Sequence, residues 1–277
     1  MKILICADME GISGVVHWDH VTPGHAEYAR FRRIMTQDVN AAIAGAFDAS
    51  AEEVAVTDGH WDNLNILVEE LDPRARLNSG EPSPLSMVQG VDVDVSGVMI
   101  VGYHARAGAQ NAILDHTWSD MRVANLWLNG RLTGEIGLNA AVCGHFDAPV
   151  IMISGDQTAC AEAVETLGAV EVAVVKHATG RMAAECLPPE AAQKKIHEAA
   201  SRAVNRLRMG RAASPYRLES PIAVAIEFAK SEMADRAMLL SGAPGRQARG
   251  THDGRYAVGV PAFPCCGDVS ERMSAEG

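Results

Sequence analysis

Residues able to do chemistry gather just beyond short apolar runs in this chain. Asp8 and Glu10 follow Lys2-Ile3-Leu4-Ile5-Cys6, Asp58 and His60 follow Glu53-Val54-Ala55-Val56-Thr57, and His104 follows Val98-Met99-Ile100-Val101. Asp156 follows the run that ends at Ser154. Asp8 and Glu10 lie two residues apart, on one side of an extended chain, and a turn at Gly11 brings them closer still. Two acids forced together are costly unless a cation compensates them, and no Lys or Arg falls between Lys2 and Arg30. Two histidines among several carboxylates suit zinc, or otherwise manganese or cobalt. The share of carboxylates also suits a two-metal centre in which one of them bridges the ions.

Each of these residues has a plainer role open to it. Asp58 and Asp156 can cap the helices that follow their strands. His60 can be a loop residue, and His104 a packed or hydrogen-bonded histidine. His116, in Leu114-Asp115-His116-Thr117, reads either as a carboxylate-oriented general acid or base or as half of a solvated loop pair. Glu135 opens a helix in Thr133-Gly134-Glu135-Ile136-Gly137-Leu138-Asn139-Ala140, where it favours the helix dipole; the flanking glycines also let backbone approach a metal or substrate closely. His17, His20 and His25 read as surface loop residues. The Gly-x-Ser-x-Gly elbow, Gly-x-Gly-x-x-Gly and the phosphate-binding Gly-Lys-Ser/Thr loop are all missing.

The elements that must position these residues follow from periodicity. Strands at 2–6, 53–57, 98–101, 150–154, 170–175 and 222–228 alternate with helices at 26–50, 64–70, 135–146, 159–167 and 189–207. Alternation of this kind predicts an α/β fold, a mostly parallel sheet with helices on both faces. Asn129-Gly130 between alternating residues predicts a hairpin insertion around 114–131. In such sheets ligands bind outside the carboxyl ends of the strands, where the acids and histidines fall. Residues 1–240 read as the catalytic unit. Residues 241–277, rich in Gly, Pro and Arg and without a period, read as a loop-rich tail, disordered or the product of a reading-frame change.

The 277 residues are 48% hydrophobic and 21% charged, enough apolar material for a sizeable core. A net charge of −11 argues against nucleic acid or an anionic membrane as partner. No apolar run approaches the ~20 residues of a membrane span, and the run before Asp8 is too short for a signal peptide. The six cysteines form no CxxC pair or disulfide framework, which points to a reducing cytoplasm.

The motifs resemble those of the DppA-type D-aminopeptidases, a family of zinc-dependent metallopeptidases. The likeness is carried by Asp8-Met9-Glu10-Gly11-Ile12-Ser13-Gly14, Asp58-Gly59-His60, Gly102-Tyr103-His104-Ala105-Arg106-Ala107 and the stretch from Gly134 to Ala140, in the family's order from about Lys2 to Leu240. The resemblance implies two zinc ions per subunit, with Asp8 bridging, Glu10 and His104 on one ion, and His60 and Glu135 on the other. It places the family's further catalytic histidine on His116. It also implies a homodecamer, and short peptides with an N-terminal D-residue such as D-alanine as substrates. The chain departs from the family at Cys6, where serine is usual, and beyond Leu240. The expectation is a zinc aminopeptidase; the alternative is another binuclear metal-dependent hydrolase, an amidase or phosphoesterase, using the same ligands.

Overall fold

The computed structural model describes residues 1–239 together with the strands at 246–247 and 256–263. The described chain falls into two units, each with its own sheet. The first, Met1–His116 with Glu135–Arg217, contains β1 (Lys2–Ala7), α1 (Trp18–Val21), α2 (Tyr28–Asp48), β2 (Glu53–Asp58), β3 (Ala75–Asn78) and β4 (Gly97–Val101). After β5 and β6, which belong to the second unit, it resumes with α3 (Glu135–His145), β7 (Val150–Asp156) and α4 (Gln157–Leu167). It ends with β8 (Glu171–Gly180), β9 (Ala183–Cys186) and α5 (Pro189–Arg208).

Its sheet runs in the order β3-β2-β1-β4-β7-β8-β9, with every neighbouring pair parallel except β8–β9. The expected mostly parallel α/β sheet is therefore what forms. Because side chains alternate along a strand, β1 feeds two cores. Ile3, Ile5 and Ala7 pack with Met35, Val39 and Ile43 of α2 and Ile196 and Val204 of α5. Leu4 and Cys6 pack with Ile136 and Cys143 of α3 and Ala159 and Ala163 of α4. Helices thus cover both faces, as strands apolar on both sides require. Strand order reverses at β1, which has β2 on one side and β4 on the other, the switch point at which such sheets leave a crevice.

The second unit, Thr117–Gly134 with the chain from Leu218, holds an antiparallel sheet in the order β11-β12-β10-β5-β6. Its strands are β5 (Val123–Leu128), β6 (Arg131–Leu132), β10 (Ile222–Phe228), β11 (Arg246–Gln247) and β12 (Tyr256–Phe263), joined by α6 (Ser231–Ala237). The predicted hairpin is β5–β6, and its turn residues Asn129 and Gly130 both have positive φ (48° and 78°), as a two-residue hairpin turn demands.

Three sequence expectations need correction or limits. The run 222–228 is a strand, but it pairs antiparallel with β5 and β12 rather than closing the parallel sheet. A short apolar run carries no mark of the direction of its partner. Residues 64–70 form turns, not a helix. Their backbone groups are taken by side chains instead: Asp58 accepts from the N–H of Asn65 and Ile66, Arg32 donates to the carbonyls of Leu64 and Asn65, and Thr36 accepts from Leu67 N–H. Within 241–277, β11 and β12 are strands, and the remainder of that tail lies outside the described residues. No described helix is long and apolar enough to cross a membrane.

Candidate metal centre

Close backbone packing at the strand ends builds the site. Asp8 N–H donates to Val101 O (2.9 Å), Gly11 N–H to Gly102 O (2.7 Å), and Gly102 N–H to Ser154 O (3.1 Å). The loops after β1 and β4 are thereby laced to each other and to the end of β7. A methyl group on Gly11 would collide with the Tyr103 carbonyl, and one on Gly102, whose φ is +77°, with the Asp8 carbonyl. These glycines let the loop carrying Asp8 and Glu10 lie directly against the loop carrying His104.

Asp8, Glu10, His60, His104 and Glu135 are all 5% exposed or less, and His116 is nearly as deep. The two oxygens of Asp8 face different histidines: Oδ1 lies 3.1 Å from His60 Nδ1, and Oδ2 lies 3.4 Å from His104 Nε2. Glu10 Oε2 is 3.1 Å from His60 Nδ1. Glu135 Oε1 lies 3.3 Å from His104 Nε2 and 3.7 Å from His116 Nε2. The rings of His104 and His116 stack with centroids 3.8 Å apart. Donor atoms of Asp8, Glu10 and His104 come within 4.8 Å of one another, and so do those of His104, His116 and Glu135.

The far side of each ring decides where its proton sits. His60 Nε2 meets Val21 O at 2.8 Å, His104 Nδ1 meets Ala105 O at 3.0 Å, and His116 Nδ1 meets Leu114 O at 2.8 Å. A carbonyl only accepts, so each of these nitrogens carries hydrogen. The neutral ring then turns a bare nitrogen toward buried carboxylates, lone pair against anion. Asp8 Oδ2 and Glu10 Oε2 are buried and make no hydrogen bond among the described residues. Bare nitrogens and unsatisfied carboxylate oxygens converging in this way are the donor set of a divalent cation, oriented by backbone carbonyls.

Without a cation, protons must fill that role. Burial, reinforced by Glu10, pushes the Asp8 carboxyl up to about 7. Burial would lower His60 and His104, but the facing carboxylates outweigh it and hold both well above the ordinary histidine range. Burial would likewise raise Glu10, but His60 dominates and holds it low. His116 shifts the other way, lowered by burial and by His104. A bound cation reverses this pattern and expels the protons.

The residues with alternative readings separate cleanly. Asp156 caps α4 through Thr158 and Ala159 N–H, and its other oxygen takes Ile113 N–H. Asp58 holds the loop at Asn65 and Ile66. His116 is oriented by Leu114 O rather than by Asp115, whose carboxylate instead takes Arg181 Nε and Gly108 N–H. Trp18 stands edge-on to His116, with the Arg181 guanidinium over its ring. His17 and His25 are exposed, and half-buried His20 stacks on Phe31. Sequence reasoning missed Asp38 and Lys176, both fully buried beside the loop that carries Glu10. Asp38 had left a signal, an acid on the apolar stripe between Met35 and Val39.

The comparisons with known proteins agree with this geometry. The profile of the D-aminopeptidase family matches residues 1–252. A D-aminopeptidase of Bacillus subtilis (strain 168) is 38% identical over 242 residues, spanning 87% of this chain and 86% of that protein. Among solved structures, the Zn-dependent D-aminopeptidase DppA from Bacillus subtilis, described as a self-compartmentalizing protease, superposes with a TM-score of 0.88 at 37% identity. That match covers 95% of this chain and 92% of the other.

Proposed function

The chain belongs to the D-aminopeptidase family, and from that premise we propose that it is a zinc-dependent aminopeptidase releasing an N-terminal D-residue from short peptides. The observation that carries the reading is the set of three histidines, each with one ring nitrogen on a backbone carbonyl and the other turned toward buried carboxylates. The family relation favours this over an amidase or phosphoesterase built on the same ligands.

Two ions per subunit belong to the proposal, held by Asp8, Glu10, His60, His104 and Glu135. Asp8 would be the ligand shared by both ions, a role supported by its two oxygens facing different histidines. The family resemblance would put Glu10 and His104 on one ion and His60 and Glu135 on the other, whereas the approaches of Glu10 to His60 (3.1 Å) and of Glu135 to His104 (3.3 Å) favour those two pairs instead. Bound zinc supplies Lewis acidity toward the scissile carbonyl and lowers the pKa of a water molecule. His116 would act at Nε2, which must carry a proton either to hydrogen-bond the developing oxyanion or to protonate the leaving amine. Burial of the cluster excludes bulk water and strengthens each of these interactions.

A homo-oligomer, specifically a homodecamer, is part of the same reading, supported by the relative described as self-compartmentalizing. So is a cytoplasmic location, supported by the free Cys6, Cys143, Cys160 and Cys186 among the described residues. The test pairs zinc content with release of p-nitroaniline from D-alanyl and L-alanyl p-nitroanilides. Two zinc ions per subunit and faster D-alanyl turnover are expected. Preferred L-alanyl cleavage would remove the D-specific reading, and phosphoester hydrolysis without anilide turnover would favour the alternative hydrolase.

A further inference from the structure

Lys176 lies on β8 with no exposed surface. Its ammonium donates to three backbone carbonyls, those of Glu10 (2.6 Å), Val15 (2.7 Å) and Ile12 (2.9 Å). An ammonium has three N–H donors, and each of these has an acceptor on one short loop. A shift in register between β7 and β8 pairs Asp156 with Lys176 after Gly155 pairs with Val174, so the lysine sits at a local irregularity of the strand. Irregularities of this kind re-aim side chains beside functional sites.

The same loop is gripped on its donor side. Asp38 Oδ2, on α2, accepts from Ser13 N–H (2.9 Å) and from Ser13 Oγ (2.7 Å). One loop of eight residues, from Asp8 to Val15, therefore has a buried cation on its carbonyls and a buried carboxyl group on its N–H. Neither group meets solvent, and both come from elements far away in sequence. Buried ionisable groups are expensive, and a loop of this kind has cheaper ways of satisfying its backbone.

We infer that Lys176 and Asp38 are positioning residues that hold the loop from Asp8 to Val15 at the height and angle that point the Glu10 carboxylate into the metal centre. The inference rests on the reading of Glu10 as a ligand. Lys176 grips the Glu10 carbonyl itself, so that residue is held by its own backbone. Gly11, which follows, is fastened to Gly102 on the His104 loop. The clamp thus sets the distance between ligands from two different strands, and its loss leaves every ligand present but the cluster slack. Residues that orient ligands change metal affinity by about 10–100-fold when removed.

The test uses full-length enzyme stripped and titrated with zinc, and with cobalt to read the ligand field by its visible spectrum. Lys176→Met is expected to keep its far-UV circular dichroism, to bind zinc about 10–100-fold more weakly, and to show an altered cobalt spectrum. Lys176→Gln, neutral but still a donor of two hydrogen bonds, is expected to recover part of the affinity, which a general packing defect would not do. Ser13→Ala removes one contact to Asp38, is expected to weaken zinc binding less than Lys176→Met does, and carries the test where neither lysine variant folds. Glu10→Gln is the reference. Wild-type affinity and spectrum in folded Lys176 and Ser13 variants, with affinity lost in Glu10→Gln, would overturn the clamp alone. Full affinity in Glu10→Gln would overturn the ligand reading, and the clamp's purpose with it.

Discussion

Asp8 and His116 are both buried histidine-and-carboxylate neighbours, yet their geometry assigns them separable losses. Asp8 offers one oxygen to each of two histidines, so Asp8→Ala deletes a donor from both proposed ion positions. It is expected to abolish zinc retention and activity together, read as metal per subunit after dialysis. His116 faces Glu135 from the edge of the cluster at 3.7 Å, so His116→Ala is expected to keep its zinc and lose turnover by roughly 10²–10⁴-fold. Loss of zinc in that variant would make His116 a ligand. Asp8, Glu10, His60 and His104 were legible in the sequence because acids and histidines at several strand ends share one edge of a parallel sheet, whereas Glu135 and His116 were assigned to the site through the family resemblance. The direction each ring faces was not legible, since it depends on Val21, Ala105 and Leu114 carbonyls that no spacing rule connects to the site. Lys176 was invisible for a similar reason: a lysine in a strand ordinarily reaches solvent, and only the folded sheet shows this one turned inward.

Elements carry two further expectations. Where the β1 and β4 loops cross, Gly102 combines positive φ with a backbone neighbour where Cβ would sit. Gly102→Ala is therefore expected to cost about 3 kcal/mol or more, strain and overpacking together, measured by urea unfolding. On α2, burial outweighs the hydrogen bonds from Ser13 and raises the Asp38 carboxyl from 3.8 to about 6. The folded protein then binds this proton more tightly than the unfolded chain does. The contribution of Asp38 is full below its unfolded pKa and is lost as pH rises through about 6. Wild-type stability relative to Asp38→Asn is expected to fall by about 3 kcal/mol between pH 3.5 and 7, read from paired denaturant curves. Equal pH profiles would place the Asp38 pKa near its ordinary value. Long periodic helices such as α2 and α5 were legible to within about two residues. Residues 64–70 were not, because Asp58, Arg32 and Thr36 outcompete the local helix for its backbone groups.

For the whole molecule, the sequence made the parallel sheet and its hairpin readable, through alternation of elements and the Asn129-Gly130 turn. The strand order was not readable, and neither was the transfer of β10 to a separate antiparallel sheet, because both depend on pairings between distant segments. Net charge acts at this scale too. Each subunit carries −11, so the proposed decamer gathers a charge on the order of −110, and like charge opposes assembly. At about 0.01 M salt the screening length is roughly 30 Å, and at 0.15 M it is about 8 Å. Repulsion across the assembly is therefore strong at the lower salt and largely screened at the higher. Sedimentation velocity at fixed protein concentration is expected to show the large species gaining population as sodium chloride rises from 10 to about 150 mM. Zinc-loaded protein is expected to need less salt, since each bound divalent ion that displaces fewer than two protons makes the subunit less negative. An assembly that instead comes apart as salt rises would mean that complementary charge pairs between subunits outweigh the net repulsion.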